Sequence, residues 1–207
     1  MINKWPSGSL FGFTAVAVYL VLAAVAYFLY PESYSPLGNY LSDLGNPLAN
    51  PDGAFFYNLG GALLGALLIP FYLGIRSWNT REKISSFLVL TAIAAGIASS
   101  AFLIFSCIFP VGTHTSLHGI FATAAFGTSI LFWVASAFAL LRNPRAIKWI
   151  AFFGYLPIFG NIVLAFLPEG RTLSEWVSVF MFLVYVVLLA FNTRMINQPR
   201  PLSGRLR

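Results

Sequence analysis

At 207 residues, 58% of them hydrophobic and 17% aromatic but only 9% charged, the chain is not composed like a soluble globular domain. Its net charge of +6 would suit a nucleic-acid binder, but the basic residues are sorted between apolar runs rather than gathered in a patch, so nucleic acid is excluded as a partner and a membrane is implied. The single cysteine, Cys107, lies inside an apolar run, which rules out a disulfide within the chain.

Six apolar runs have the length needed to cross a hydrocarbon core, at roughly 10–30, 54–75, 84–109, 117–141, 149–167 and 175–193. A spanning backbone must satisfy its own hydrogen bonds, and these runs are twice the length of barrel strands. The fold class is therefore all-α: a polytopic membrane protein of six transmembrane helices, one domain over 1–193, with a basic, disordered tail over 194–207.

The first run follows Lys4, exceeds the apolar stretch of a secretory signal and ends in "AYFLYPESYS", so it reads as a retained helix. The loop after it, 31–52, is far longer than joining two helices requires. Within it Ser35 can cap, Pro36 suits a first turn and Gly45 supplies a stop, while Leu37, Tyr40, Leu41 and Leu44 share one face and Asn39 and Asp43 another. A short interfacial helix is expected. Asp52 then reads as the cap of the second helix.

Along the second and third helices, "NLGGALLGALL" and "AIAAGIASSA" supply small residues for close packing. The connections "RSWNTREK" and "RNPRAIK" are short, polar and basic, as tight hairpin turns require. In the fifth run Asn161 follows Pro157 by four residues, so it serves the backbone loosened by that proline or an interhelical bond. Glu175 reads as a first-turn acid of the sixth helix.

With the N-terminus inside, Lys4, Arg76, Arg81, Lys83, Arg142, Arg145, Lys148, Arg194, Arg200, Arg205 and Arg207 fall on one side, leaving only Arg171 on the other. Glu32, Asp43, Asp52, Glu169 and Glu175 join Arg171, so the two faces carry about +10 and −4. The expectation is a multi-pass protein of the cell membrane with both termini cytoplasmic and membrane lipids as partners.

The only two histidines, His114 and His118, lie at the outer start of the fourth helix, near the membrane level of Asp43. Asn58 lies about 8 Å into the second helix, at 1.5 Å per residue. Ser42, Asp43, Asn58, His118 and Glu175 can thus surround one outward-facing cavity, with Asn39 and His114 at its rim. Ionisable residues at membrane depth are costly and are functional candidates by default.

Three readings fit these residue types. Asp43 could orient His118 as a general base toward Ser42, water or a lipid hydroxyl, the logic of a lipid hydrolase or acyltransferase. His114 and His118, four apart, could hold a metal with Asp43, although no cofactor is otherwise implied. In the third, Asp43 and His118 form a pair, directly or through one water, that pins the loop or contacts a lipid headgroup. A transport role for Asn161 is the minority view.

The stretches "LSDLGNP", "FFYNLGGALLG" and "IFPVGTHTSLHGIFA" resemble a prokaryotic six-helix family known as domain of unknown function 998. The family pattern's S-D-x-G falls on Ser42, Asp43 and Gly45, its N-x-G on Asn58 and Gly60, its F-P on Phe109 and Pro110, and its histidine on His118. His114 has no counterpart. The chain is also distantly similar to the eukaryotic FRAG, DRAM and Sfk membrane proteins, which act in lipid-related processes, so the resemblance implies a lipid headgroup as ligand. Membrane hydrolases of the alkaline ceramidase type place a histidine pair in a late helix, and the last two helices here contain none.

Overall fold

The computed structural model describes residues 5–164, 166–167 and 170–198. Among them the regular elements are helices: α1 (Ser7–Phe28), α2 (Ala54–Gly74), α3 (Lys83–Ile108), α4 (Thr115–Arg142), α5 (Lys148–Phe153), α6 (Leu156–Leu164) and α7 (Gly170–Asn197). Short 3-10 helices occupy Leu41–Gly45 and Ile75–Trp78. The helices are apolar on all sides, because the bundle interior and the lipid are equally apolar and no amphipathic stripe is needed. Phe28, Val21 and Phe87 therefore stay exposed while Trp78, Tyr72 and Phe132 are buried.

The small-residue expectation holds between α2 and α3. A Cβ added at Gly61 would lie 2.5 Å from the Cys107 sulfur, and one at Gly65 would lie 2.9 Å from the Ser100 carbonyl oxygen. The two backbones approach as closely as glycine permits.

Five helices are long and apolar enough to cross a membrane: α1, α2 with its 3-10 extension to Trp78, α3, α4 and α7. The sixth expected span is corrected. Instead of one continuous helix over 149–167, α5 and α6 are short pieces meeting at Gly154 and Tyr155. Gly154 is a weak helix former, and Pro157 lacks the N–H a continuing helix needs and biases the residue before it away from helical angles.

The broken segment still carries the chain from one end of the bundle to the other. At one end the Lys148 ammonium donates to the carbonyls of Leu140, Leu141 and Asn143 at 2.9, 2.8 and 2.6 Å. At the other, Asn161 donates to the Pro157 carbonyl and the Ser178 hydroxyl, both at 2.7 Å, and accepts from the Ser174 hydroxyl. Asn161 thus serves the proline-loosened backbone and bridges two helices at once, as its position suggested.

Charge is sorted between the same ends. Arg76, Arg81, Lys83, Arg142, Arg145, Lys148 and Arg194 share one end, where Arg142 pairs with Glu82 at 2.7 Å and the Arg194 guanidinium lies 3.9 Å over the Trp5 ring. Glu32, Asp43, Asp52, Arg171 and Glu175 share the other. Helix α7 runs on to Asn197, past the boundary expected at 193. Residues 199–207, together with Lys4 and Glu169, lie outside the described residues.

In the long loop the expected interfacial helix is also corrected. A single turn, closed by the Asn39 amide on the Ser35 carbonyl at 2.9 Å, gives way at extended Tyr40 to the 3-10 helix Leu41–Gly45. Leu41 and Leu44 are buried, whereas Leu37 and Tyr40 are exposed, so the four do not share one face. The break is stabilised from outside: Tyr34 donates its hydroxyl to the Tyr40 carbonyl at 2.7 Å and Trp176 donates its indole N–H to the Asn39 carbonyl at 3.0 Å.

Asp52 does not cap α2. The cap position is Gly53, which makes no side-chain bond to the helix, and Asn50 holds it by accepting from the Gly53 N–H at 3.1 Å while its own amide donates to the carbonyls of Ala26 and Leu44 at 3.0 and 2.9 Å. Asn50 is fully buried and joins α1, the 3-10 helix and α2. Asn50→Leu is expected to lower stability by roughly 3 kcal/mol, since two carbonyls and an N–H lose their partner. Asp52→Ala, an exposed change, should stay within about 0.5 kcal/mol. Chemical unfolding of the two variants in detergent checks both, and equal losses would contradict the role assigned to Asn50.

Candidate functional site

Three elements meet at the acidic end: the 3-10 helix, the start of α4 and the start of α7. Ser42 donates its backbone N–H and its hydroxyl to the two carboxylate oxygens of Glu175, at 3.1 and 3.3 Å. Glu175 is therefore no first-turn acid but lies one turn deeper, partly buried and facing the loop. Asn58 on α2 donates to the Gly45 carbonyl at 2.8 Å, and a Cβ at Gly45 would sit 2.6 Å from its amide oxygen, so the S-D-x-G glycine marks a close approach of loop and helix.

The His118 Nδ1 lies 2.9 Å from the Ser106 carbonyl oxygen. A carbonyl only accepts, so Nδ1 carries the proton and the neutral ring keeps its lone pair on Nε2. The ring is thus held across the α3–α4 hairpin by backbone, not by a carboxylate.

Asp43 has another partner. One of its carboxylate oxygens accepts from the Tyr40 N–H at 2.9 Å, while its own N–H donates to the Tyr40 carbonyl at 3.1 Å. This reciprocal pair starts the 3-10 helix, whose first amide has no acceptor within the helix. Burial pushes the Asp43 carboxyl above its ordinary value of 3.8, while the Tyr40 amide pulls it back. Among the described residues Asp43 and His118 form no ion pair, so the direct contact between them is not made.

Two other candidates turn away. Asn39 closes its own turn by accepting from the Ser35 N–H at 3.1 Å. His114 is exposed at the cap of α4, not inside the helix, with its ring 3.2 Å from the Thr113 hydroxyl and edge-on to Phe109. Among the described residues no three His, Cys, Asp or Glu side chains gather as metal ligands would.

The rest surround two adjoining cavities. An inner one of about 100 Å³ lies among α2, α3, α4 and α7, with Tyr57, Asn58, Ser99, Ser106 and Cys107 in its wall. An outer cleft of about 630 Å³ opens between α4 on one side and α6 and α7 on the other. Ser42, His118, Ser178, Glu175 and Trp133 line both. Asn39, Asp43 and His114 line neither.

The cleft is graded. At its outer end stand Ser42, His118, Asn161, Arg171, Ser174 and Glu175, while its deeper walls are Phe126, Ile130, Trp133 and Ile158. Ile130 and Ile162 on its flanks are exposed on the bundle surface. Trp133 is buried, and its indole N–H has no acceptor among the described residues.

Sequence reasoning missed Arg171, Ser174 and Ser178 as site residues, although with Glu175 they recur at i, i+3, i+4 and i+7, a polar stripe on an otherwise apolar helix. That stripe is the signal that would have found the cleft.

Replacing Asp43 tests its part in this arrangement. Asp43→Asn keeps an acceptor for the Tyr40 amide and should retain near-native stability, whereas Asp43→Leu leaves that amide unpaired and should cost about 1 kcal/mol. Because the folded carboxyl titrates above 3.8, its stabilising contribution is full below that pH and is lost as pH rises through the folded value. Wild type should therefore lose stability relative to Asp43→Asn over that rise, and thermal melts at stepped pH read it. A constant difference would place the carboxylate outside this account.

No curated protein and no solved structure matches the chain. Residues 13–192 match the profile of the family described as Protein of unknown function (DUF998), which spans all seven helices at least in part, and the chain belongs to that family.

Proposed function

We propose that the protein binds the headgroup of a membrane lipid in the cleft between α4 and α6–α7, with the acyl chains running along its deeper wall. The observation that carries this reading is the gradient of the cleft: hydroxyl, amide, imidazole and charged groups at the outer end, then Phe126, Ile130 and Trp133 below. An amphiphile has the same gradient, and a purely polar solute would desolvate against the lower wall without compensation. The unpaired Trp133 indole supports an occupant, since a buried donor left without an acceptor costs about 1–3 kcal/mol. Binding is favoured over hydrolysis or acyl transfer, because a backbone carbonyl orients His118 and the Ser42 hydroxyl is directed at Glu175.

The same reading places the protein in the cell membrane. Six crossings, with α5 and α6 together forming one, put both termini and the basic end in the cytoplasm and the cleft on the outer side. A cysteine introduced at exposed Leu48 in a Cys107→Ser background should react with an impermeant maleimide in intact cells. Reaction only after the membrane is disrupted would invert this topology.

Native mass spectrometry of the detergent-purified protein tests the binding itself. A phospholipid-mass adduct is expected, and Ala122→Trp, which fills the wall shared by both cavities, should reduce it by roughly tenfold, the equivalent of about 1.4 kcal/mol. An adduct of equal strength in a folded Ala122→Trp variant would place the lipid elsewhere on the bundle, and no adduct at all would overturn the reading.

A further inference from the structure

Resting on the headgroup-binding reading, we propose that the cleft selects a phospholipid whose headgroup carries a primary ammonium beside its phosphate, with Arg171 holding the phosphate and Glu175 the ammonium. Both residues line the cleft, and both stand on the first turns of α7. They are four apart, which sets their Cβ atoms about 5–6 Å from each other on one helix face. The two carbons that join phosphate to ammonium in such a headgroup span a comparable gap.

Neither charge has an ion-pair partner among the described residues. The ion pair found there is Arg142 with Glu82, at the opposite end, and Arg171 and Glu175 do not pair with each other. Glu175 receives the amide and hydroxyl of Ser42, one on each oxygen, and a carboxylate with two oxygens has acceptor positions for a further donor. A carboxylate partly buried at membrane depth needs a counter-charge, and among the described residues no cation pairs with it. Arg171 is exposed at the mouth, where a planar fork of donors can take two phosphate oxygens together.

The ammonium is primary because the groups around Glu175 accept hydrogen bonds. The second ring nitrogen of His118, the carboxylate of Glu175 and the hydroxyls of Ser174 and Ser178 all line the same space. A primary ammonium has three N–H donors for them, whereas a quaternary ammonium has none and would need an aromatic cage. A headgroup ending in hydroxyls would bind through Arg171 but leave Glu175 without its counter-charge.

The test uses the full chain in detergent, titrated with phosphatidylethanolamine, phosphatidylcholine and phosphatidylglycerol of identical acyl chains, with native mass spectrometry reading the bound fraction. Wild type should favour the ethanolamine lipid over the other two by roughly tenfold. Glu175→Gln should bring that ratio to about one, and Arg171→Gln should weaken all three lipids together. Water-soluble glycerophosphoethanolamine should bind far more weakly than the lipid, and equal binding would overturn a lipid source for the headgroup. Thermal melts establish that each variant is folded, and exposed Arg171 provides a second arm should Glu175→Gln melt early. If no phospholipid binds, the headgroup-binding reading falls and this one with it. If the three bind equally, or the ethanolamine preference survives Glu175→Gln, the lipid reading stands and the assignment of the two charges is overturned.

Discussion

Backbone that leaves the helical state near a membrane has no bulk water to turn to, and the acidic end of this bundle is organised around that constraint. The loop 31–52 carries irregular backbone across the top of the helices, and side chains of the loop itself and of α2 and α7 meet its exposed groups. Asn50 reaches the carbonyls of Ala26 and Leu44, Asn58 that of Gly45, Tyr34 that of Tyr40 and Trp176 that of Asn39. Glu175 takes the Ser42 amide and the Asp43 carboxylate takes that of Tyr40. The loop owes its shape to these bonds, and the cleft owes its roof to the loop.

The family's recurring residues gain a physical meaning from this network. Ser42 ties the 3-10 helix to α7, Asp43 begins that helix, Gly45 lets it lie against Asn58, and His118 locks α4 to the last turn of α3 through the Ser106 carbonyl. These are largely positions that build the mouth. Two charged groups of the cleft lie on α7, at Arg171 and Glu175, one turn apart and lining the space that the mouth encloses.

What was legible in the sequence was set by bulk physics. Apolar length revealed the spans, small residues revealed the α2–α3 contact, and the partition of basic residues revealed which helix ends lie together. Partnerships were harder, because Asp43 and His118 share a depth without sharing a hydrogen bond, and each found a nearer backbone partner. The loop's heptad-like spacing of Leu37, Tyr40, Leu41 and Leu44 suggested one helix, but the Asp43 carboxylate and the Tyr34 hydroxyl stabilise a break within it. Asn50 was invisible because nothing local distinguishes an asparagine that caps one helix from one that joins three elements. The break between α5 and α6 was announced by Gly154 and Pro157, and the apolar run alone concealed it.

That break has a consequence for the surrounding bilayer. The segment Lys148–Leu164 would rise only about 25 Å even as one straight helix, at about 1.5 Å per residue. The hydrocarbon of an ordinary bilayer is about 30 Å thick. A short wall of this kind is accommodated by local thinning of the membrane, which draws headgroups inward on that side of the protein alone. The thinned sector faces α6, so lipids there would stand closer to the depth of Asn161 and Glu175 than lipids elsewhere around the bundle. The hydrophobic mismatch of one broken helix would thus set the α6 sector of the bundle apart from the rest of its lipid-facing surface.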